Sequence, residues 1–382
     1  MQPTLPPPPA VARARRRLLR FYDHDGRDLP WRRTTDPYAI WISEVMLQQT
    51  RVEAVIAHYE RFLKRFPTLA DLASAELEEV LAAWTGLGYY RRARLLHAGA
   101  RFVADEHDGR LPSSREQLQA IPGVGAYTAG AVASIAFGRA EPAVDANVAR
   151  VVARVFAGGG DQGSRAPSRM QIEQHAAALA RCRRAGDVNQ ALMDLGARIC
   201  RAKRPRCQEC PLQPLCGAWQ TGVQEQIPPP RPRKPARDVH LACAVVRSGR
   251  RALLVRRDRD RALLGGMWEL PTVEQAAAAD ARRLLEDLVD GALGRRASLS
   301  GPCARVRHDI VGRRIVADVY VAEVDAGAPR AQRPSGAARG VEFFSEEEMK
   351  RAALSALPLK ILRATGFPGR PQSSASRAEA RT

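Results

Sequence analysis

Four cysteines, Cys200, Cys207, Cys210 and Cys216, fall within seventeen positions in a C-x6-C-x2-C-x5-C array. Thiolates this close in sequence can close on one small inorganic centre, and the chain between them must then fold around it. Iron–sulfur clusters are commonly held by four cysteines, so a [4Fe–4S] cluster is the first reading. Tetrahedral zinc is the second. Unrelated thiols or disulfides are the third, and they fit poorly. The opening residues, MQPTLPPPPAVARARRR, carry arginines but no apolar core after them, so no secretory signal is expected. The array's surroundings are cationic (Arg198, Arg201, Lys203, Arg204, Arg206), which suits a charged cluster and a polyanionic partner together. Cys182, Cys243 and Cys303 lie outside the array and read as ordinary free or buried thiols.

The polyanion is the second inference. The chain has 382 residues and a formal net charge of +19, with a sequence pI near 10.5. Charge of this sign and size points to nucleic acid, the alternative being a solvated arginine-rich surface. With 45% hydrophobic residues the chain can build real cores, which excludes a disordered protein. No apolar run reaches the ~18 residues of a membrane span. A reducing cytoplasm, with association to the nucleoid, is the expected compartment.

The pattern along the chain changes once. Asp36-Pro37 is a helix start, a cap followed by proline at the first helical position. Helical stretches follow near 52–66, 76–84, 91–106, 115–120, 126–138, 146–156, 171–182 and 188–199, ending at the cysteines. Residues 10–220 are therefore read as one all-helical domain. Gln226-Ile-Pro-Pro-Pro-Arg-Pro-Arg-Lys-Pro cannot continue a helix, so 221–238 is an expected linker. Residues 239–368 read as a small α/β domain. Leu241–Val246 and Ala252–Arg256 form a hairpin around Arg247-Ser-Gly-Arg250; 279–290 and 345–354 are helical; Ile315–Val324 and Val341–Phe344 are strands. The tail, 369–382, is expected to be disordered.

Two features of the helical part carry chemistry. Ile121-Pro-Gly-Val-Gly125 lies between a short helix and a longer one. Gly123 and Gly125 allow a tight turn whose backbone N–H groups, at a helix N-terminus, bind phosphate. This is the hairpin of a helix-hairpin-helix element, or else a plain interhelical turn. Two carboxylates are the other feature. Asp145 precedes an apolar helix and can cap it. Glu44 sits in Trp41-Ile-Ser-Glu-Val-Met-Leu-Gln-Gln-Thr50, where solvent exposure is the favoured reading. In a pocket, desolvation would instead raise its pKa and make it a proton donor. An acid and a carboxylate in those roles cleave bonds to an anomeric carbon.

WISEVMLQQTRV, TGLGYYRRARLL, IPGVGAYTAGAVASIAF, VDANVARV and the cysteine array, in this order, resemble the MutY family of adenine DNA glycosylases over roughly residues 15–220. That family belongs to the helix-hairpin-helix superfamily that includes endonuclease III. The resemblance implies excision of adenine mispaired with 8-oxoguanine or guanine in double-stranded DNA, by a monomer carrying a [4Fe–4S] cluster. It implies that Glu44 protonates the flipped adenine and later helps activate water. It implies that Asp145 stabilises the sugar cation, that Tyr127 hydrogen-bonds near Asp145, and that Asn147 orients Asp145. Trp31 and Arg32 would line the adenine pocket, and Gln49 and Tyr89 would enter the duplex, Tyr89 as a wedge. Bifunctional relatives carry lysine where Tyr127 stands; tyrosine cannot form a Schiff base, so a monofunctional enzyme is expected. An endonuclease III-like lyase and a G·T thymine glycosylase are the competing enzymes, and a non-catalytic damage-binding protein is a third reading.

Leu264-Gly-Gly-Met-Trp-Glu-Leu-Pro271 resembles a G-x-W-E-x-P segment of Nudix-like domains, which places an 8-oxoguanine-reading domain after the linker. The hydrolase metal box is missing: Ala281-Arg-Arg-Leu-Leu-Glu-Asp-Leu stands in its place. Val306-Arg307-His308 occupies the position of the family's Phe-Ser-His loop, which leaves His308 as the expected contact to the oxidised base. A piece ending near Gln220 keeps the hairpin, both carboxylates and the cysteine array, so it is expected still to excise adenine but with a weaker preference for 8-oxoguanine opposite it.

Overall fold

Local capping decides where many of the helices begin. In the computed structural model, which describes residues 8–158, 166–229, 235–258, 264–274, 278–310, 312–325 and 340–368, Asp36 accepts from Tyr38 N and Ala39 N at 3.1 and 3.2 Å and Pro37 opens the next helix. Reciprocal capping boxes join Thr68 to Asp71, Ser168 to Gln171 and Ser345 to Glu348. The helices are α1 (Pro8–Asp25), α2 (Pro37–Leu47), α3 (Val52–Arg65), α4 (Leu69–Ser74), α5 (Leu77–Ala83), α6 (Arg91–Glu106), α7 (Arg115–Ala120), α8 (Ala126–Ile135), α9 (Ala146–Val155), α10 (Arg169–Ala180), α11 (Ala185–Arg198) and the short α12 (Gly217–Gln220). Linker residues 230–234 and the tail 369–382 lie outside the described residues.

The described residues group into two compact units. One draws on Met1–Ala75 and Arg94–Pro232, the other on Glu76–Ala93 and Arg233–Thr382. Residues 76–93 lie within the stretch 10–220 read as one helical domain but group by contact with the second unit, where their α5 packs on a helix of the C-terminal part. In the first unit, Leu18 and Phe21 of α1, Val148, Val151 and Val152 of α9, and Val188, Leu192 and Leu195 of α11 share one core. Helix α1 was not expected, yet Val11, Ala14, Leu18 and Phe21 recur at helical spacing and are buried. Helix α8 stops at Ile135 rather than near 138. Gly138 turns left-handed there (φ 64°), and Arg139 N reaches back to the Ala133 carbonyl at 2.9 Å.

The second unit contains a sheet of β1 (Arg237–Ser248), β2 (Arg251–Arg256), β3 (Trp268–Glu269), β4 (Thr272–Glu274), β5 (Ser300–Ile310), β6 (Arg313–Glu323) and β7 (Val341–Ser345). Its order is β3-β2-β1-β6-β5, with β4 on β1 and β7 on β2; β1 and β6 run parallel and the remaining pairs antiparallel. Alternation along β1 splits the core in two. Cys243 and Val245 face one cluster with α14 (Glu346–Arg351) and α15 (Ala356–Ala364), while Ala242, Ala244 and Val246 face α13 (Ala278–Leu293). The second helix ends at Arg351, not 354, because Leu354 is extended and bridges Trp268.

Val306, Arg307 and His308 lie on β5 rather than in a loop. This strand escaped detection because it is polar and at the sheet's edge, stabilised across the ladder by contacts such as Arg305 to Asp318 at 2.6 Å.

The turn at Ile121–Gly125 takes the expected form. Val124 N donates to the Ile121 carbonyl at 3.0 Å, Gly125 starts α8, and Gly123 is left-handed (φ 83°). A Cβ on Gly123 would stand 2.6 Å from Leu95 Cβ. Gly123→Ala is therefore expected to lower stability by about 1–3 kcal/mol and to weaken DNA binding. Thermal melting and binding titrations on one duplex would check both; unchanged melting would contradict the strain argument.

Candidate active site and cysteine centre

Helix α2 is buried along nearly its whole length, from Tyr38 to Met46, so it has no solvent face for a carboxylate. Glu44 is consequently only 4% exposed, against the exposed position favoured from its sequence neighbours. Burial pushes its pKa up to about 7 and nearby Asp145 adds to the rise, while the Tyr127 hydrogen bond and Arg32 oppose it. The side chain borders a cavity of about 1060 Å³ lined also by Tyr127, Asp145, Asn147, Trp31 and Arg32.

Tyr127 comes from the first turn of α8, directly after the glycine turn. Its hydroxyl donates to Glu44 Oε2 at 2.6 Å, with Met193 Sδ at 3.7 Å. The expected bond near Asp145 is thereby corrected: the partner is the other carboxylate. Burial and the adjoining Glu44 raise the phenol's pKa well above its ordinary range, so it stays a donor.

Asp145 caps α9 and lines the cavity at once. Val148 N donates to its Oδ1 at 2.7 Å and Asn147 Nδ2 to its Oδ2 at 2.9 Å, as expected of Asn147. Burial raises its pKa; these donors and Arg150 restrain the rise. Arg150, which sequence reasoning missed, donates to Asn147 Oδ1 at 2.9 Å, to the Gly196 carbonyl at 2.8 Å and to the Cys200 carbonyl at 2.8 Å. Gly196 permits this approach, since a Cβ there would lie 2.7 Å from Asn147 Cβ.

Asp194 was also missed. It is fully buried on α11 and takes Arg32 in a two-pronged contact at 2.8 and 3.0 Å, with Arg27 Nε at 2.8 Å. Burial works against its charge, but Arg32 and Arg27 outweigh it and hold the carboxyl below its ordinary pKa. Arg32 is thus fixed at the cavity wall. Trp31 is buried and packs edge-on against Tyr59 at 5.4 Å. Gln49, left-handed at φ 58°, also lines the cavity, as do Gly123 and Gly125. Tyr89 and His308 belong to the second unit. Tyr89 is 47% exposed and left-handed (φ 49°); His308 is half-buried, and burial with nearby Lys360 lowers its pKa.

Cys200, Cys207, Cys210 and Cys216 border one small cavity in the first unit. Among the described residues no three His, Cys, Asp or Glu side chains converge as ligands of a metal ion. Arg154, 2% exposed, stands beside them, donating to Cys200 Sγ at 3.3 Å and to the carbonyls of Arg201, Ala202 and Ile227 at 2.7, 3.1 and 2.7 Å. Four soft donors around one cavity, with a buried cation against a sulfur, suit an anionic thiolate-ligated centre. Arg201, Lys203, Arg204 and Arg206 are exposed on the loop between the first two cysteines.

Residues 42–182 match the model of the HhH-GPD superfamily base excision DNA repair proteins, and 242–364 match the NUDIX domain. The chain is 39% identical to the human adenine DNA glycosylase over 91% of its own length and 72% of the relative's. It is 42% identical to that of Mycobacterium tuberculosis, over 60% of this chain and 76% of the relative. This chain belongs to the adenine DNA glycosylases. A thermostable thymine-DNA glycosylase is also similar in structure, with a TM-score of 0.51 and 32% identity, covering 56% of this chain and 97% of that one. The enzyme is a DNA glycosylase with a helical HhH-GPD domain followed by a Nudix-like mixed α/β domain. No helix of the described residues is long and apolar enough to cross a membrane.

The buried acid has a stability signature. Because the folded state holds Glu44's proton up to about pH 7, against an ordinary pKa of 4.5, stability is greatest below 4.5 and is lost as pH rises through 7. Glu44→Gln removes that loss. The variant is expected to match the parent near pH 4.5 and to exceed it above pH 7, by up to about 3 kcal/mol at roughly 1.4 kcal/mol per pKa unit. Melting at both pH values checks this; equal stability throughout would mean that Glu44 is not buried.

Proposed function

We propose that the enzyme excises adenine mispaired with 8-oxoguanine or guanine in double-stranded DNA, hydrolysing the N-glycosidic bond and leaving an abasic site. The observation that carries this reading is the buried Glu44, hydrogen-bonded to Tyr127 and facing the same cavity as Asp145. An adenine flipped into that cavity receives Glu44's proton on a ring nitrogen as the bond to the anomeric carbon breaks and its electron pair leaves with the base. The Asp145 carboxylate, held by Val148 N and Asn147, stabilises the oxocarbenium-like sugar. Water then adds to that carbon and its proton returns to Glu44. Tyr127 offers no amine, so no Schiff base forms and the strand stays uncut.

In this reading Gly123 and Gly125 present backbone N–H groups to a phosphate, Trp31 and Arg32 wall the base pocket, and Gln49 and Tyr89 enter the duplex. His308 contacts the base opposite adenine. A [4Fe–4S] cluster would be held by Cys200, Cys207, Cys210 and Cys216. It would order the cationic loop for phosphate contact, with no part in the acid–base steps. The donor set and the family support it. The enzyme acts as a monomer with the domain limits given above, in the cytoplasm and at the nucleoid.

Single-turnover excision on duplexes carrying A opposite 8-oxoguanine, A opposite G and T opposite G tests the substrate. Faster loss of T than of A would replace this reading with the thymine glycosylase. Glu44→Gln and Asp145→Asn are each expected to lose roughly a thousandfold or more in rate while mismatch binding persists. The parent's rate should fall above about pH 7 as Glu44 ionises. Tyr127→Phe removes a bond that stabilises the carboxylate, so its alkaline limb should move to higher pH; a shift downward would contradict the assigned partner.

Purified protein is expected to be brown, with broad absorbance near ~400 nm and about four irons per chain. Zinc without iron after anaerobic purification would overturn the cluster.

A further inference from the structure

The segment that carries Tyr89 is built into the second unit. Its backbone is left-handed at Gly86, Gly88 and Tyr89 (φ 103°, 69° and 49°), which turns the chain sharply and leaves the Tyr89 ring exposed. Two side chains brace the turn. Trp84 Nε1 donates to the Gly88 carbonyl at 3.1 Å and Arg92 Nη2 to the same carbonyl at 3.3 Å. The Arg92 guanidinium lies over the Trp84 ring and over the Tyr89 ring, at 5.4 and 5.6 Å from their centroids.

This braced turn is tied down at its next residue. Tyr90 is buried; its hydroxyl donates to the Leu354 carbonyl at 2.9 Å and also meets the Thr85 side chain and the Gly86 backbone within the turn, so it joins the turn to Leu354. Leu354 is fully buried and bridges Trp268, whose backbone N donates to the Ala353 carbonyl at 2.9 Å. A second tie joins Glu78 of α5 to Arg256, whose guanidinium lies 5.8 Å from the Trp268 ring and whose Nε donates to the Gly266 carbonyl at 3.2 Å. Both ties end on the Gly265-Gly-Met-Trp-Glu segment or on the strand-like residues it bridges.

We propose that Tyr90 is a positioning residue, and that its hydrogen bond to Leu354 makes the Nudix-like fold the mount that sets Tyr89 for insertion into DNA. This rests on the wedge role given to Tyr89 above. A wedge replaces lost base stacking only if its ring is already aimed, because ordering the loop on binding would subtract from the gain. Left-handed backbone at a tyrosine is costly and persists only where its surroundings impose it. Tyr90 and its carbonyl partner supply that constraint one residue away. A piece ending near Gln220 keeps Tyr89 but not its mount.

The test uses the full chain and a duplex with 8-oxoguanine opposite a non-cleavable adenine analogue, with 2-aminopurine beside the oxidised base. Wedge insertion unstacks the 2-aminopurine and its fluorescence rises. Tyr90→Phe, which deletes only the hydroxyl, is expected to cut that rise at least threefold and slow excision about fivefold, the size of one ordinary hydrogen bond, with melting unchanged within a few degrees. Tyr89→Ala should abolish the rise, and adding Tyr90→Phe to it should change nothing further, because the two act as one device. An undiminished rise in Tyr90→Phe, or equal losses from Tyr90→Phe with and without Tyr89, would overturn the mount while leaving the wedge. An undiminished rise in Tyr89→Ala would sink the wedge reading itself, and the mount with it. If Tyr90→Phe melts early, the ion pair decides: Glu78→Arg should reduce the rise and Glu78→Arg with Arg256→Glu should restore it, and failure to restore it would count against the mount.

Discussion

The carboxyl of Glu44, taken out of water by a helix with no polar face, is the constraint on which the site depends. Elsewhere on α2, the Ser43 hydroxyl donates to the Ile40 carbonyl at 2.7 Å and the Tyr38 hydroxyl to the Phe66 carbonyl at 2.9 Å, and neither group carries a charge to hide. Glu44 has no such escape. Ionising it there would cost several kcal/mol without a full counter-ion, so it keeps its proton to about pH 7. The neighbours refine that result instead of reversing it. Tyr127 supplies one neutral donor, enough to orient the acid. Arg32, the obvious counter-ion, is committed to Asp194 in a two-pronged contact. Were Arg32 free to swing onto Glu44, the acid would ionise and the proton donor would be lost. Asp194, which holds Arg32 at the cavity wall, therefore helps to decide which carboxyl is the acid.

The second carboxylate has more donors around it. Burial raises the pKa of Asp145 too, but the carboxyl caps a helix, and a backbone N–H at 2.7 Å and an amide at 2.9 Å favour its charged form and restrain the rise. Positive partial charge at the start of α9 adds to that preference. The two carboxyls face one cavity but belong to different electrical environments, one apolar and one rich in donors. That difference is what separates a proton donor from a cation stabiliser. Asn147 is itself held by Arg150, which also binds the Cys200 carbonyl. The second carboxylate and the backbone carbonyl of the first cysteine are thus connected through two side chains, Asn147 and Arg150, both on α9.

Much of this was legible beforehand, and the misses have a common form. Asp36-Pro37, the Ile121–Gly125 turn and the Asp145 cap depend on neighbours within four residues, so their local chemistry announces them. The partner of Tyr127 lies 83 residues away, and those of Asp194 lie 162 and 167 away. No pattern in the chain points across such a gap. Glu44 was misjudged as exposed because a glutamate usually is, although the unbroken apolar run around it carried the contrary signal. Helix α1 is masked in the sequence by its proline- and arginine-rich opening, although its buried positions at 11, 14, 18 and 21 mark a helix face. β5 carries little hydrophobic alternation to read because both its faces are largely exposed, Val306 alone being buried.

The hardest feature to foresee is the assignment of residues 76–93 to the same compact unit as the Nudix-like fold. α5 reads as one more helix in a series, and nothing in it identifies the helix it packs on. What could have been asked is why a Nudix-like fold without its metal-binding acids still carries Gly-Met-Trp-Glu-Leu-Pro. The geometry answers in architectural terms. The Trp268 ring packs edge-on against Phe344 at 4.8 Å, Leu270 is buried in the sheet's core, and Glu269 pairs with Arg257 at 3.0 Å. The Glu of this segment is held by a cation, and the Trp backbone fixes the extended chain at Ala353–Leu354. A segment associated elsewhere with hydrolysis thus builds a rigid shelf here. The Leu354 carbonyl of that shelf accepts from the hydroxyl of Tyr90, the residue next to the exposed Tyr89.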